Sequence, residues 1–573
     1  MFFRLAALCA SAALIGTAQV APVFARSDDG QSGANQLEKI NHIVVIYQEN
    51  HSFDNLFGGW EGVNGRAAAT PAHTLQLSQA GVAFNCLKQV DVNLTSPPLA
   101  ATCTDTTTAS PFTSAFTNAP FSIDAVIPSS ATTCPVPGGV FSANGYLNGT
   151  GLPGGCTRDI VHRFYQEQYQ LNGGQMNRYT TGSDAVGLTQ GYYDSTALPI
   201  YSYLHQEDHP SYAIADDFFQ AAFGGSFLNH QWLVAAATPV WNGADNSATA
   251  NNLHSVVDAN GMPNSYPLYT PTAGPSVKDQ ALTVSCPSGT PPPGVGVVCG
   301  DYAVNTIQPT YQPYAPGTAL VKRLPPQTAP TIGDRLSGAG IDWAWYSGGW
   351  SNADGDQGAP GWTNASGPSC GSAAATGSVF PNCPDKLFQF HHQAFNYYAT
   401  FAPGTAARAA HLKDEVEFQS LAASSSKACN LKPVSFVKPI GAENEHPGYA
   451  AETTGSNHLV SLLQSIENSS CRKDTMVVVT YDEFGGQWDH VTPPGQGGVA
   501  GAHDVMGPGT RIPALVLAPR LHGSFVTDHA QHDTTSILAT IEHRFGLAPL
   551  SGRDATVQDL ATVFKARQFG ADD

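Results

Sequence analysis

An acidic pair stands directly after an apolar run in the C-terminal third of this 573-residue chain. Residues 477–480 are β-favouring and typical of a buried strand, and Asp482 and Glu483 follow them. A glycine pair then allows the chain to fold back, so that Asp489 and His490 can return toward the same pocket. Crowded carboxylates at a strand end favour a cation. The alternative is a solvated acidic turn after an edge strand.

A second cluster of the same design lies near the N-terminus. There an apolar run ends in Glu49 and Asn50. Residues just past the carboxyl ends of parallel strands line one edge of the sheet, so neighbouring strands would bring this pair opposite Asp482 and Glu483. Carboxylates and an amide oxygen suit a hard divalent cation, and their mutual repulsion would be severe without a metal or a bound proton. The segment after Asn50 also fits a helix cap at Ser52.

A hydroxyl group follows a tight turn in the middle of the chain. Residues 213–219 are predicted to form a strand, and Gly224 and Gly225 then precede Ser226 at the start of a predicted helix. A hydroxyl at this position can attack an anionic phosphorus centre, because free N–H groups and the helix dipole favour negative charge there. It can equally be an ordinary N-cap.

The sequence of the C-terminal third predicts a helix, a strand, a long loop, a strand and a helix in that order. This succession indicates an α/β fold. The predicted elements are a helix through Leu459–Ile466 capped at Ser456 and Asn457, strands at 476–481 and 512–517, and a helix from Ile537 to Phe545 stopped by Gly546. Residues 341–346 and 433–440 add possible strands. Turn-rich segments at about 61–155 and 240–385 are predicted to be loop insertions on a single catalytic domain of residues 26–573.

Bulk composition excludes some classes of partner. The formal net charge is −19 and no run of Lys or Arg occurs, so neither non-specific nucleic-acid binding nor electrostatic docking on anionic lipid is expected.

A signal peptide is predicted over residues 1–25, from Arg4, the apolar stretch 5–20 and the small residues before Arg26. No other run is long enough to cross a bilayer. A soluble periplasmic or secreted protein is therefore expected.

Ten cysteines remain after the predicted signal peptide. In an exported chain an even set favours disulfides, and near-neighbour couples predict sequential pairing. The predicted pairs are Cys86–Cys103, Cys134–Cys156, Cys286–Cys299, Cys370–Cys383 and Cys429–Cys471. Zinc binding is the competing interpretation, but no Cys-x-x-Cys spacing occurs.

Four stretches together resemble a bacterial phosphoesterase family that contains secreted acid phosphatases and phosphatidylcholine-type phospholipases C. These stretches are Glu49-Asn50-His51-Ser52-Phe53-Asp54, Gly224-Gly225-Ser226-Phe227-Leu228-Asn229-His230, Tyr481-Asp482-Glu483-Phe484-Gly485-Gly486 and Asp489-His490-Val491. The resemblance runs from about residue 40 to about 562. It implies an alkaline-phosphatase-like fold, with one central, mainly parallel sheet flanked by helices.

The resemblance also implies roles for individual residues. Ser226 matches the nucleophile. Glu49, Asn50, Asp482 and Glu483 match metal or nucleophile-positioning ligands for one divalent cation of unknown identity. Phosphate contacts are implied for Asn50, His162 and His392. The two histidines are also implied to be catalytic, with His392 as a candidate proton donor. The second-tier candidates are Asp489, His490, His446 and His529.

Two departures from the family pattern bear on these roles. Residues 391–395 read His-His-Gln-Ala-Phe where Lys-His-Asn-Pro-Phe is more usual, so His391 competes with His392 for the aligned position. Some related acid phosphatases have Asp at the position of Glu483.

The expected activity is a secreted, metal-dependent acid phosphatase that hydrolyses small phosphate monoesters through a phosphoserine. One alternative is a phospholipase C acting on choline phospholipids, which would make a lipid the substrate. Another is a non-catalytic surface binding protein stabilised by calcium. The oligomeric state is left open.

Overall fold

The computed structural model describes most of the chain. The described residues are 28–90, 99–131, 157–242, 256–258, 260–262, 265–272, 277–279, 281–285, 298–364 and 370–568. The predicted signal peptide lies outside them.

A nine-stranded sheet forms the centre of the described part. In chain order its strands are β1 His42–Gln48, β2 Tyr212–Ala215, β3 Trp343–Ser347, β4 Leu412–Asp414, β5 Val434–Lys438, β6 Thr475–Tyr481, β7 Ala514–Leu517, β8 Phe525–Asp528 and β9 Arg567–Gln568. Their order across the sheet is β4-β3-β5-β1-β6-β7-β2-β8-β9.

Most neighbouring strands in this sheet are parallel. β4, β3, β5, β1 and β6 run in one direction, and β2 and β8 are parallel to each other. β7 runs antiparallel to both of its neighbours, and β9 is antiparallel to β8. The prediction of an α/β fold with a mainly parallel sheet is confirmed. Every residue of β6 is buried, which explains why the strand is a continuous apolar run without alternation.

Helices accompany these strands throughout the described residues. They are α1 Asp28–Leu37, α2 Phe53–Leu56, α3 Pro71–Thr74, α4 Phe164–Leu171, α5 Pro199–Leu204, α6 Ser226–Ala235, α7 Ile332–Gly338, α8 Trp350–Asp354, α9 Ala406–His411, α10 Glu415–Ser424, α11 Glu452–Glu467 and α12 Thr535–Phe545. Gly546 ends α12 with a φ of 65°, as its sequence position predicts.

Two predicted elements differ from the structure. α11 begins at Glu452, with Ala451 as its cap, so the predicted cap at Ser456 is wrong. Ser456 instead accepts a hydrogen bond from the Ile200 backbone N–H at 2.9 Å, which joins α11 to α5. The predicted strand 213–219 is broken, because Asp216 and Asp217 leave the sheet and Phe218–Phe219 pairs with His532–Asp533 instead.

Three of the predicted disulfides are confirmed. They join Cys86 to Cys103, Cys370 to Cys383, and Cys429 to Cys471. Each of the other two predicted pairs includes a residue outside the described ranges.

The predicted insertion at 240–385 is not purely a surface insertion, because it contains β3 of the central sheet. Within the described residues, no helix is both long and apolar enough to cross a membrane.

Candidate active site

Ser226 is the first residue of α6 and is nearly fully buried. Gly225 is the N-cap, so the alternative interpretation of Ser226 as the N-cap is wrong. Gly224 has a φ of +89°, and a Cβ built on it would lie 2.6 Å from the Phe164 backbone N. Only glycine fits at position 224, and the turn that it forms positions the Ser226 hydroxyl in the site.

The Ser226 hydroxyl faces oxygen atoms from two strand ends. Its Oγ lies 3.2 Å from Glu49 Oε2, 3.4 Å from Glu483 Oε1 and 3.5 Å from Asn50 Oδ1. The predicted convergence of the two sequence clusters on Ser226 is therefore present in the structure.

Strand register produces this convergence. β1 and β6 are adjacent and parallel, with Gln48 opposite Tyr481. Asp482 Oδ1 accepts hydrogen bonds from the Asn50 N–H at 3.0 Å and the Glu483 N–H at 2.8 Å. These hydrogen bonds connect the loop after β1 to the loop after β6. The polar side chains of the two loops therefore lie together near the Ser226 hydroxyl.

The carboxylates of this cluster are fully buried and electrostatically unfavourable without a counterion. Burial, followed by the charge of Asp482, raises the pKa of both Glu49 and Glu483 well above the usual range. Asp482 Oδ2 is buried and accepts no hydrogen bond within the described part of the chain. Buried oxygens of this kind suit a hard divalent cation.

Lys438 is a further member of the site that the sequence reasoning missed. It ends β5 with 1 % of its side chain exposed, and its Nζ forms an ion pair with Glu49 Oε1. The same Nζ donates to the Tyr47 carbonyl at 2.9 Å. The available signal was a lysine at the end of a strand without other charged residues, in a chain with few charged residues.

His162 lies on the open side of the cluster. Its Nε2 is 3.2 Å from Glu483 Oε1 and 3.4 Å from Asn50 Nδ2. Its side chain keeps 17 % exposure, in contrast to the fully buried Glu483. His162 is thus placed between the carboxylates and the surface.

His392 and His230 form a buried stack behind Glu49. The rings are 4.8 Å apart and nearly parallel, and His392 Nδ1 lies 3.3 Å from Glu49 Oε1. Glu49, His230 and His392 also form one of the groups that could hold a metal ion. Burial lowers the pKa of His392 well below its usual range, with His391 as the next cause. This shift opposes the predicted role of His392 as a protonated acid.

His391, which is partly buried, and His446, which is buried, also lie near the site. Burial, followed by the charge of Lys438, lowers the pKa of His391 to about 3. Burial lowers the pKa of His446 well below the usual range, and His162 is among the charges that contribute. These imidazoles are consequently neutral hydrogen-bonding groups.

The remaining second-tier candidates belong to other clusters. Asp489 pairs with Arg511 at 3.2 Å and His490 with Asp54 at 2.5 Å, while Arg511 also reaches Asp54 at 3.3 Å. Asp489 Oδ2 accepts from the Asp54 N–H, so this network joins the loop after β1 to the loop after β6. Asp489 and His490 therefore stabilise the contact between these two loops. Asp54, Asp489 and His490 also form another group that could hold a metal ion.

His529 lies on a separate surface. Its side chain is 65 % exposed and pairs with Asp216 at 2.9 Å. The structure therefore does not bring His529 to Ser226.

Comparison with known proteins gives a family match across most of the chain. The Phosphoesterase family matches residues 40–138 and 140–548. Phospholipase C A of Mycobacterium tuberculosis is 22 % identical over 574 aligned residues, covering 95 % of this chain and 81 % of the relative. Phospholipase C B of the same organism is 32 % identical over 157 residues, covering 23 % of this chain and only 29 % of the relative's length.

Among solved structures, a protein of the alkaline phosphatase superfamily from Vibrio parahaemolyticus is similar with a TM-score of 0.25 and 13 % identity. That similarity covers 73 % of this chain and 76 % of the other. A TM-score this low supports no argument about fold or function. The match to the family is independent of it and spans both strand-end clusters and the serine turn. This chain therefore belongs to the Phosphoesterase family.

Proposed function

We propose that this chain is a metal-dependent phosphoric ester hydrolase with Ser226 as its nucleophile. One observation carries the proposal: the Ser226 hydroxyl lies within 3.5 Å of Glu49, Asn50 and Glu483, at the start of a helix. A buried serine beside two carboxylates and an amide oxygen is poorly explained as a packing residue. The family match supports phosphoester chemistry at this serine.

Glu49, Asn50, Asp482 and Glu483 would hold one divalent cation, whose identity is open. When bound, the cation supplies Lewis-acid stabilisation of negative charge on phosphoryl oxygens and on the serine oxygen. Glu49 and Asn50 come from the β1 loop and Asp482 and Glu483 from the β6 loop, so the register of the two strands sets the ligand geometry.

The protein's own groups can carry out the proton transfers. Glu49 Oε2 lies 3.2 Å from the Ser226 hydroxyl and is the group that would accept its proton. The Ser226 oxygen then bonds to phosphorus while the ester bond to the alcohol breaks. His162, on the open side of the site, is placed to protonate the departing oxygen. Water subsequently cleaves the phosphoserine and frees the enzyme.

The α6 N-terminus and the neutral histidines stabilise the anion. The first N–H groups of α6 provide donors and a positive dipole end for phosphoryl oxygens. Asn50 can donate from Nδ2, while His392 and His446 act as neutral hydrogen-bonding partners. The acid role moves from His392 to His162, because the environment of His392 keeps it unprotonated.

For the substrate, phospholipase C activity on phosphodiesters fits at least as well as the predicted acid phosphatase activity. The relatives described above are named phospholipases C. We therefore place diester hydrolysis first and monoester hydrolysis second. A non-catalytic calcium-stabilised binding protein is the third possibility, in which the carboxylates hold a structural ion.

The disulfides favour an oxidising compartment, periplasmic or secreted. This localisation and the predicted signal peptide remain proposals.

The test compares turnover of p-nitrophenylphosphorylcholine and p-nitrophenyl phosphate by the wild type, Ser226→Ala and Ser435→Ala. Ser435 is a fully buried control serine in β5. We expect Ser226→Ala to abolish turnover while Ser435→Ala retains it, and chelation to remove wild-type activity. Turnover retained by Ser226→Ala would refute the nucleophile, and a wild type inactive on both esters would favour the binding protein.

A further inference from the structure

Two carboxylates and an imidazole form a cluster outside the Ser226 site. Its members are Glu415, Glu443 and His458, and one ligand atom from each lies within 4.8 Å of the others. His458 Nε2 is 2.5 Å from Glu415 Oε1 and 3.7 Å from Glu443 Oε2. Zinc binds nitrogen and carboxylate oxygen at about 2.0–2.2 Å, so a small movement of these side chains would let one ion contact all three.

Separate elements of the fold bring these side chains together. Glu415 is the first residue of α10, which begins directly after β4. His458 lies in α11, and Glu443 follows β5 in the chain. Because α10 and α11 pack against each other, two of the three side chains are held on helices whose relative position is fixed.

The Glu415 carboxylate is buried and has a hydrogen-bond donor on only one oxygen. Its side chain is 4 % exposed. Oε1 accepts hydrogen bonds from His458 Nε2 and, at 3.3 Å, from Gln419 Nε2. Oε2 is buried and accepts no hydrogen bond from the described residues. A buried carboxylate oxygen without a donor is costly to desolvate, and a bound cation would offset that cost.

The charges of the cluster are not balanced by basic side chains. Among the described residues, His458 is the ion-pair partner of both Glu415 and Glu443. Lys413, two positions before Glu415, pairs with Glu417 instead. A protonated His458 supplies one positive charge against two carboxylates. A divalent cation bound to a neutral imidazole supplies two, which matches the carboxylates.

We propose that Glu415, Glu443 and His458 bind a divalent transition-metal ion of the Zn²⁺ class, at a site separate from the one beside Ser226. Imidazole together with carboxylate suits zinc, whereas the oxygen ligands beside Ser226 suit a harder cation. Glu415 Oε2 or a water molecule can supply the fourth ligand. On binding, the proton on His458 Nε2 leaves to solvent and the ion takes its place. The Glu443 side chain is 42 % exposed, so the ion can enter from that side.

An ion at this position would also restrain the loop that follows β5. Glu443 directly precedes Asn444, whose carbonyl accepts the Glu49 N–H at 3.0 Å. The next carbonyl, of Glu445, lies 3.0 Å from His51 Nε2. The ion would therefore stabilise the loop that supports Glu49, without contacting the substrate.

The experiment measures zinc content rather than activity. Wild type and variants are dialysed to equilibrium against Zn²⁺, and the bound metal is counted by inductively coupled plasma mass spectrometry. The variants are His458→Ala and Glu443→Ala, the second being the milder change because Glu443 is partly exposed. His205→Ala is the matched control, because His205 forms an ion pair with Glu61 but belongs to none of the three-residue groups found in the described part of the chain.

We expect each cluster variant to hold one Zn²⁺ per chain fewer than wild type, and His205→Ala to hold as many as wild type. An ion beside Ser226 adds equally to all of these counts, so the result does not depend on the proposed function. An anomalous difference map at the zinc edge should place the lost ion between Glu415, Glu443 and His458.

Equal zinc content in wild type and Glu443→Ala would overturn the proposal, even if His458→Ala did not fold. An equal loss in His205→Ala, or no anomalous peak between the three side chains, would also overturn it.

Discussion

Replacing Lys438 with methionine tests how the buried carboxylates are kept stable. Lys438 is 1 % exposed and is paired with Glu49, which is fully buried. Methionine has a similar length but removes both the charge and the hydrogen bond to the Tyr47 carbonyl. The variant therefore leaves Glu49 facing Asp482 without the lysine that opposes its charge.

The magnitude follows from the burial of the pair. Removing one partner of a buried ion pair costs about 3–5 kcal/mol, because the other charge stays desolvated. We expect the free energy of unfolding to fall by about this amount in chelator. Divalent cation should restore part of it, since a ligand that binds only the folded state stabilises that state.

Urea titration with and without divalent cation measures both effects. The matched control is Lys432→Met, because Lys432 forms its ion pair with Asp342 near the surface, with side chains 22 % and 59 % exposed. Such an exposed pair is worth about 0–1 kcal/mol. If Lys438→Met and Lys432→Met lose the same small free energy of unfolding, Lys438 does not stabilise the cluster as described.

Three further predictions address the acidic residues around the site. Glu483→Asp should lower kcat roughly a hundredfold without changing Tm. The shorter side chain cannot reach Ser226 while it keeps the hydrogen bond from the Gly485 N–H. An unchanged kcat would contradict this geometry. Asp489→Asn should lower the free energy of unfolding by about 3–5 kcal/mol and leave kcat of the folded enzyme close to wild type, which denaturation and kinetics can separate. Burial raises the pKa of Glu445 to about 8, so the folded protein holds a proton that the unfolded chain releases above about pH 4.3. Wild-type stability should therefore fall with rising pH across that window, and Glu445→Gln should gain about 1.4 kcal/mol per pH unit relative to it, whereas parallel stability profiles would refute the shift.

Strands that read as unbroken apolar runs were predictable from the sequence. Residues 43–46 and 477–480 lie in β1 and β6, and the polar residues that follow them meet because these strands are adjacent and parallel. The broken strand at 213–219 was not predictable from propensity. Asp216 there binds the Asn64 N–H and pairs with His529, and such contacts come from distant parts of the chain.

Within the site, short sequence motifs indicated the nucleophile and the carboxylates but not their electrostatic surroundings. Lys438 lies 389 positions along the chain from Glu49, and only the β5–β1 pairing makes them neighbours. Likewise, the burial that keeps His392 neutral depends on packing against His230 and His391. The sequence pattern also predicted that Asp489 and His490 lie near the metal ligands. In the structure, Arg511, which follows a long loop, forms an ion pair with Asp489, and Asp489 belongs to a separate network.

The central claim is that Ser226 attacks phosphorus and carries the phosphoryl group. Rapid acid quenching during turnover, followed by peptide mapping by mass spectrometry, tests it most directly. The account predicts substrate-derived phosphorus esterified to the peptide that contains Ser226, and none in Ser226→Ala. Covalent phosphorus on a histidine, or rapid turnover with no covalent phosphorus at any time point, would contradict it.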